Sequence, residues 1–495
     1  MITVRKPEQL SKEQFANLLT ARKLQISAID ERYWRIIGQG SIGSKAEQLR
    51  RKTWAALQAG FTMDPRVVLA MDFFDGFRRR DNIFDEKEIE TILRIAREFS
   101  LSHPNVPLVI RSSAYDDAEG TGIYSSGFCP SNENDPTGKK LIEAIKNVLS
   151  SEFSESAVLL RKKLGIPDGM AVIIEPAFGR WVNHKDYSQQ TYGPILGGLA
   201  RSAKEQPAYA FLCKGLPKEA VNGIGIRITE SDQMPLDYYI LNEENRRMVE
   251  TFLRNDFILG ANFHLARSGA MTFGGFESQG LYEQNMSWLF EKLAKFSGLL
   301  GIQQYIEWAV RKVGNVIEVG LLQTADCVET GKFDELSEIA ENEKTVVSSN
   351  YVKRSDRFTC GHIIYVDRRK DLEKLREYNE KYGPHILLIN GHIVPTSEKL
   401  NLDYTMISNT LLLGEYMYAP QTGSGVNHNS APEGHFKGLM GKAGIVFCCI
   451  EDSFDPGLLR QFEITPNGEG PRVFKVNVEC IASEKQQKLV VNNLD

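Results

Sequence analysis

Apolar residues along this chain alternate between two periods. Ile89, Ile92, Leu93, Ala96 and Phe99 recur at helical spacing, and Asp85 with Glu88 stand where that helix would start. The short β-branched run Pro107 to Ile110 follows, reads as a strand, and ends in Arg111. The same switch comes again. Leu141, Ile142, Ile145, Val148 and Leu149 mark a helix, and Ala171 to Ile174 a buried strand. Ser11 and Gln14 are spaced as a capping box ahead of an amphipathic segment reaching toward Tyr33. A later helix runs through Trp288, Leu289, Leu293 and Phe296, ahead of a hairpin centred on Gly314-Asn315. Alternation of this kind predicts an α/β or α+β fold in layers rather than a helical bundle.

Candidate chemistry gathers where strands give way to small residues. In Arg111-Ser112-Ser113-Ala114 an arginine leaves the predicted strand end with a planar fork of donors suited to phosphate oxygens. Upstream, Gly38-Gln39-Gly40-Ser41-Ile42-Gly43-Ser44-Lys45 places a lysine beyond a loop that can bring backbone amides close to an anion. Three readings stay open. Gly38, Gly40 and Gly43 match a dinucleotide fingerprint, with Asp64 at the distance of a ribose-binding acid. Against it, Arg32 to Ile37 makes a poor buried parallel strand, and Asp64 sits before Pro65 in a turn. A Walker loop needs glycine and lysine adjacent, and Ser44 separates them. A plain turn before a helix is the third.

Taken together and in order, these segments resemble the nucleotide-binding domain shared by phosphoenolpyruvate synthase and pyruvate phosphate dikinase. The elements that carry the likeness are Gly43-Ser44-Lys45-Ala46-Glu47-Gln48-Leu49, the turn Gly60-Phe61-Thr62-Met63-Asp64-Pro65, Arg111 to Ala114, and Ser125-Ser126-Gly127-Phe128. Farther on come Met170 to Pro176, Gly215 to Gly223, Ile306-Glu307-Trp308-Ala309 and Leu322-Gln323, so the likeness spans roughly residues 35 to 326.

The resemblance implies a divergent ATP-grasp fold of two subdomains, about 1–200 and 201–330, that binds ATP and Mg2+. It implies that Lys45 and Arg111 supply positive charge, that Glu307 and Gln323 hold metal or phosphates, and that backbone amides near Ser126 and Gly127 cap the phosphate tail. The chain departs from the pattern twice. Tyr305 stands where the family has an acid, and Ala325 where it has an arginine. Losing a carboxylate weakens a magnesium site, and losing an arginine clamp slows phosphoryl transfer, so magnesium and turnover are both in question. The hairpin imposes a geometric condition. For Glu307 and Gln323 to share a face, a two-residue loop does not suffice, and an odd-length loop or a bulge is required.

After Cys327 a charged run, 331–345, reads as a linker to a second, smaller α/β unit, 346–495, with strand-like Ile363 to Val366, Ile386 to Ile389 and Ile445 to Cys448. This part is similar to the C-terminal region of phosphoenolpyruvate-synthase-like proteins, with Glu433-Gly434-His435-Phe436 in place of their Gly-Thr-His-Phe-Phe stretch and a degenerate Asn390-Gly391-His392-Ile393. By that likeness, and by dikinase-type chemistry, His435 becomes a candidate phosphate acceptor, with His428 behind it. The residues beyond the nucleotide domain are too few for a (β/α)₈ barrel of ~250 residues, so the pyruvate-binding domain of a complete synthase is not expected.

Composition narrows the class. The chain has 495 residues, 42% apolar and 25% charged, enough for about three folding units of a soluble protein. A net charge of -5 argues against a nucleic-acid partner, and the expected partners are a nucleotide and an unidentified small-molecule or protein acceptor. The seven cysteines form no C-x-x-C pair, and neither a signal-peptide core nor a membrane-length apolar run is present, so a cytoplasmic setting is expected. The sequence leaves the oligomeric state open.

Overall fold

A computed structural model describes residues 29–115, 124–129, 138–183, 190–194, 196–202, 209–214, 226–229, 263–265, 271–273, 289–313, 316–326, 349–353, 355–366, 368–390, 404–416, 443–450, 464–465, 470–483, 486 and 488–494. Of the segment from Ser11 to Tyr33 expected to be helical, residues 29–33 are described and are helical, and the rest lies outside the described residues.

The first sheet opens with a parallel unit: β1 (Trp34–Ile37), helix α1 (Gly43–Gln58) and β2 (Arg66–Leu69). Helix α2 (Glu86–Ser102) starts at a capping box in which Asp85 and Glu88 bond each other's backbone N–H. β3 (Leu108–Ala114), β4 (Ser126–Cys129), helices α3 (Lys139–Ser150) and α4 (Glu155–Leu164), and β5 (Met170–Pro176) follow. The sheet order is β1-β2-β5-β3-β4, antiparallel except for its first pair. α1 covers one face, joining Ala46 and Leu49 to Val68 and Ile173. The other face is covered by α2 and α3, whose Ile92, Ile95, Leu141 and Ile145 pack on Ile110 and Ile174. Each such side chain contributes on the order of 2 kcal/mol by leaving water.

Two expectations need correction here. Residues 34–37 do form a parallel strand, because β1 lies at the sheet edge. Trp34 packs inward while Arg35 faces out to pair with Glu98, so no continuous apolar run is needed. Arg111 is not at a strand end. β3 continues through Ser112 and Ser113, both small enough to be buried against Val172 and Ala171 of β5, and Arg111 sits in mid-strand.

Past a ribbon of β6 (Arg180–Asn183) and β7 (Gln190–Gly193), the chain builds a second, fully antiparallel sheet. Its strands are β8 (Leu196–Arg201), β9 (Tyr209–Lys214) and β10 (Ile226–Thr229). A further ribbon of β11 (Phe263–Leu265) and β12 (Met271–Phe273) and helix α5 (289–300) intervene before β13 (Gln304–Val313) and β14 (Val316–Asp326). The order is β10-β9-β8-β13-β14, so this sheet takes in Leu196 to Arg201, just ahead of the expected boundary at 201. Val313 pairs with Val316 across two loop residues, and a bulge between Glu307 and Trp308 shifts the register. Glu307 therefore lies opposite Gln323, the arrangement a two-residue loop alone would forbid. Trp308 is fully buried, and Phe296 of α5 meets Phe61 edge-on at 5.9 Å.

The third sheet begins at β15 (Ser349–Lys353) and β16 (Asp356–Val366), continues through α6 (Leu375–Lys381), β17 (His385–Asn390), α7 (Tyr404–Ile407), β18 (Thr410–Tyr416), β19 (Val446–Ile450), β20 (Ile464–Thr465), β21 (Arg472–Ser483) and β22 (Lys488–Asn493). The apolar runs expected to be strands fall in β16, β17 and, from Val446 onward, β19, and β16 to β19 run parallel in sequence order. This unit docks on α4, whose Leu160 shares a core with Tyr404 and Ile407. Mixed α/β architecture thus holds throughout the described residues. Among them no helix is long and apolar enough to cross a membrane.

Candidate functional site

The turn Gly60 to Pro65 joins the first sheet to the second. Thr62 donates its N–H to Val319 O at 2.7 Å and accepts one from Leu321 N at 3.2 Å, so the turn runs beside β14 as an added strand residue. Asp64 receives both terminal nitrogens of Arg311, at 2.8 and 2.9 Å, in a bidentate pair. That carboxylate is committed, and a ribose-binding role for Asp64 falls with it. Arg311 also lies 4.2 Å from the ring centre of Phe178, and a Cβ on Gly320 would come within 2.6 Å of that ring.

Inside this seam runs a chain of ions. Glu175 of β5 accepts from Arg66 Nε at 2.5 Å and from Arg111 Nε at 2.6 Å, while Arg111 Nη1 lies 3.9 Å from Glu307 Oε2 on the second sheet. Burial alone would raise the Glu175 carboxyl, but Arg66 and Arg111 outweigh it and hold it below the usual carboxylate range. Burial opposes the charge on Arg111 as well, and Glu175 with Glu307 overcomes that, raising its pKa. Arg66 serves the frame, since it also reaches the carbonyls of Asp64 and Leu321. Arg111 is bonded through one edge of its fork and meets Glu307 beyond hydrogen-bond range, which leaves that contact open to competition by an anion.

The glycine-rich loop does bring amides to an anion, but the anion is Asp72. Its carboxylate accepts from Gln39 N at 2.8 Å, and side chains at Gly38 or Gly40 would overlap it. Partial burial pulls the other way, yet the amides of Gln39 and Gly40 hold the Asp72 carboxyl below its ordinary value. Gly43 has φ +74, and a Cβ there would collide with the carbonyl of Ser113, so α1 starts flush against β3. The three glycines of the apparent dinucleotide fingerprint are explained by these two close approaches.

Lys45 lies in the first turn of α1, which is pinned to β3 where Ser113 Oγ accepts from Ala46 N at 2.9 Å and donates to Ile42 O at 2.8 Å. Ser113 and Arg111 are two residues apart on one strand and share a face. Arg111 thus meets Glu307, and Glu307 is paired with Gln323, while the helix that carries Lys45 contacts the Arg111 strand through the backbone of Ala46 and Ile42.

Ser126 and Gly127 are placed differently from the expected open loop. They pair with Arg111 and Ile110 in the β3–β4 ladder, and Gly127 makes room for Ala144 of α3. Tyr305 and Ala325 prove to be direct cross-strand partners, so the two departures from the family pattern face one another. His435, His428 and the Gly215 to Gly223 loop lie outside the described residues.

The sequence reading missed Glu175 and Arg66. The signal was present: a charged side chain inside the otherwise apolar Met170 to Pro176 run must be paired to be buried. Among the described residues no group of three or more His, Cys, Asp or Glu could hold a metal. Glu307 and Gln323, as cross-strand neighbours, offer two oxygens on one face, which suits a magnesium ion that completes its shell with phosphate and water rather than a closed protein cage. In comparisons with known proteins, no family model matches the chain, and no curated protein matches it significantly.

Proposed function

We propose that this chain binds ATP with magnesium at Arg111, Glu307, Gln323 and Lys45, in an ATP-grasp-type fold related to phosphoenolpyruvate synthase, and passes phosphate to a histidine or another acceptor. The observation that carries the reading is the meeting of Arg111 with the Glu307–Gln323 pair of a distant hairpin, three residues singled out together by the sequence resemblance. Phosphoryl transfer asks for fixed positive charge around the transferred oxygens and a metal ligand beside it, and this cluster supplies both. Magnesium, when bound, would neutralise phosphate charge. Glu307 and Gln323 would hold it, Arg111 and Lys45 would orient the phosphates, and His435 is the first candidate acceptor.

A second reading is a nucleotide-binding regulatory or scaffolding protein without turnover, favoured by the Tyr305–Ala325 pair where the family pattern has an acid and an arginine. Incubation with γ- and β-labelled ATP and Mg2+, followed by mapping of acid-labile phosphate and nucleotide analysis, separates the two. Label on His435 or release of AMP supports transfer. Saturable binding without product supports the second reading, and then Tyr305→Asp with Ala325→Arg should gain ATPase activity. Absence of any nucleotide binding overturns both.

A further inference from the structure

Across β8, β13 and β14 two rows of side chains lie side by side. Glu307 stands between Leu199 and Gln323, and Tyr305 between Arg201 and Ala325. β13 pairs with β8 in unbroken register here, so Tyr305 and Glu307, two residues apart, project from the same face, and their cross-strand partners project with them. Arg201 is therefore a diagonal neighbour of Glu307, a relation that separates Cα atoms by roughly 7–8 Å and lies within reach of a long side chain.

Arg201 has a set direction. Its guanidinium sits 5.5 Å from the ring centre of Tyr305, and Nη2 donates to Gln303 Oε1 at 3.1 Å. Gln303 is itself buried. The third member of the row is Ala325, whose single methyl group leaves the space beside Tyr305 unfilled by a longer side chain. Glu307 thus has Arg111 of the first sheet 3.9 Å away, and Arg201 of its own sheet stands on the diagonal from it, held by Gln303 beyond Tyr305.

We infer that Arg201 is a second anion-binding arginine of this site and that the pair selects a polyphosphate chain over a single phosphate. A monophosphate fits against one guanidinium, whereas a triphosphate has charge to place on both. The inference rests on the proposed reading of the site and deepens it by assigning the recognition of phosphate number to Arg201.

The test is calorimetric titration of the full chain, in Mg2+, with inorganic tripolyphosphate and with inorganic phosphate. Wild type, Arg201→Met, which keeps the stem against Tyr305, and Arg201→Lys, which keeps the charge without the fork, are compared. The expected result is a preference of wild type for tripolyphosphate, a roughly tenfold to hundredfold loss of tripolyphosphate affinity in Arg201→Met with phosphate binding little changed, and an intermediate value in Arg201→Lys. Equal tripolyphosphate affinity in wild type and Arg201→Met overturns the role of Arg201 while leaving the site itself standing. Failure of wild type to bind either anion removes the site and the inference together.

Discussion

Between the first and second sheets the interior holds full charges, with Glu175 clasped by Arg66 and Arg111 and Arg111 facing Glu307. In the middle of the C-terminal sheet the interior polar group is neutral. His385 is fully buried, its Nδ1–H donates to Gly383 O at 2.7 Å, and its Nε2 accepts from the Thr410 hydroxyl at 3.1 Å. Burial, with some help from nearby His362, pushes its pKa down to about 4, against the pull of the Gly383 carbonyl. Where that unit does bury a carboxylate, Asp371, the partner Arg368 reaches in from the surface. Buried ions cost more than they return unless every partner is kept, and apolar replacements are often as stable. An ionic seam beside an otherwise apolar core is thus a weak source of net stability while every partner is kept, and a large liability when one is removed.

The comparison breaks first at Glu175. In Glu175→Gln the buried Arg66 and the half-buried Arg111 lose their counter-charge, and denaturant unfolding should show a loss of about 3–5 kcal/mol.

Acid should then attack the two regions in different windows. Because the folded state refuses a proton on His385, the C-terminal unit should lose stability as pH falls from the ordinary histidine value near 6.5 toward about 4, by on the order of 3 kcal/mol in all. Glu175, held below its ordinary value, stabilises the seam above the unfolded carboxylate pKa, and that contribution should fade only as pH falls through its lower folded value. Melting curves at pH 7, 5 and 3, with tryptophan fluorescence for the seam and amide exchange for β17, would separate the windows. Simultaneous loss in both would erase the distinction.

A smaller effect is expected at the edge of the seam. Gly43→Ala forces a side chain onto the Ser113 carbonyl at φ +74 and should cost roughly 1–3 kcal/mol in the same unfolding assay. Smallest of all is Glu307→Gln. Its contact with Arg111 is long, so stability should change by no more than about 1 kcal/mol, while Mg2+-dependent nucleotide binding should fall.

What could be read in advance, and what could not, follows from range. α2, α3, β5 and the β13–β14 hairpin lie where local periodicity put them, because an element with one buried face writes that face into its own sequence. Even the bulge beside Glu307 was legible as a condition, since strand alternation makes parity a matter of counting. The edge strand β1 was not, because half of it faces outward. Nor was the partner of the glycine-rich loop. Asp72 lies beyond α1 and β2 in the chain, and no local pattern announces that its carboxylate will fill the ring of amides. For Arg111 the residue was visible and its setting was not. Two buried serines carry β3 past it, turning an expected strand-end arginine into one embedded among carboxylates.

In the proposed function Arg111, Glu307 and Gln323 form one place where a metal-bound polyphosphate sits. A crystal structure of the full chain grown with Mn2+ and a non-hydrolysable ATP analogue tests it directly, because manganese reports its position by anomalous scattering. The expected result is an anomalous peak against Glu307 and Gln323 with phosphate density on Arg111. A metal and nucleotide bound elsewhere, with the Arg111–Glu307 contact undisturbed, would contradict it.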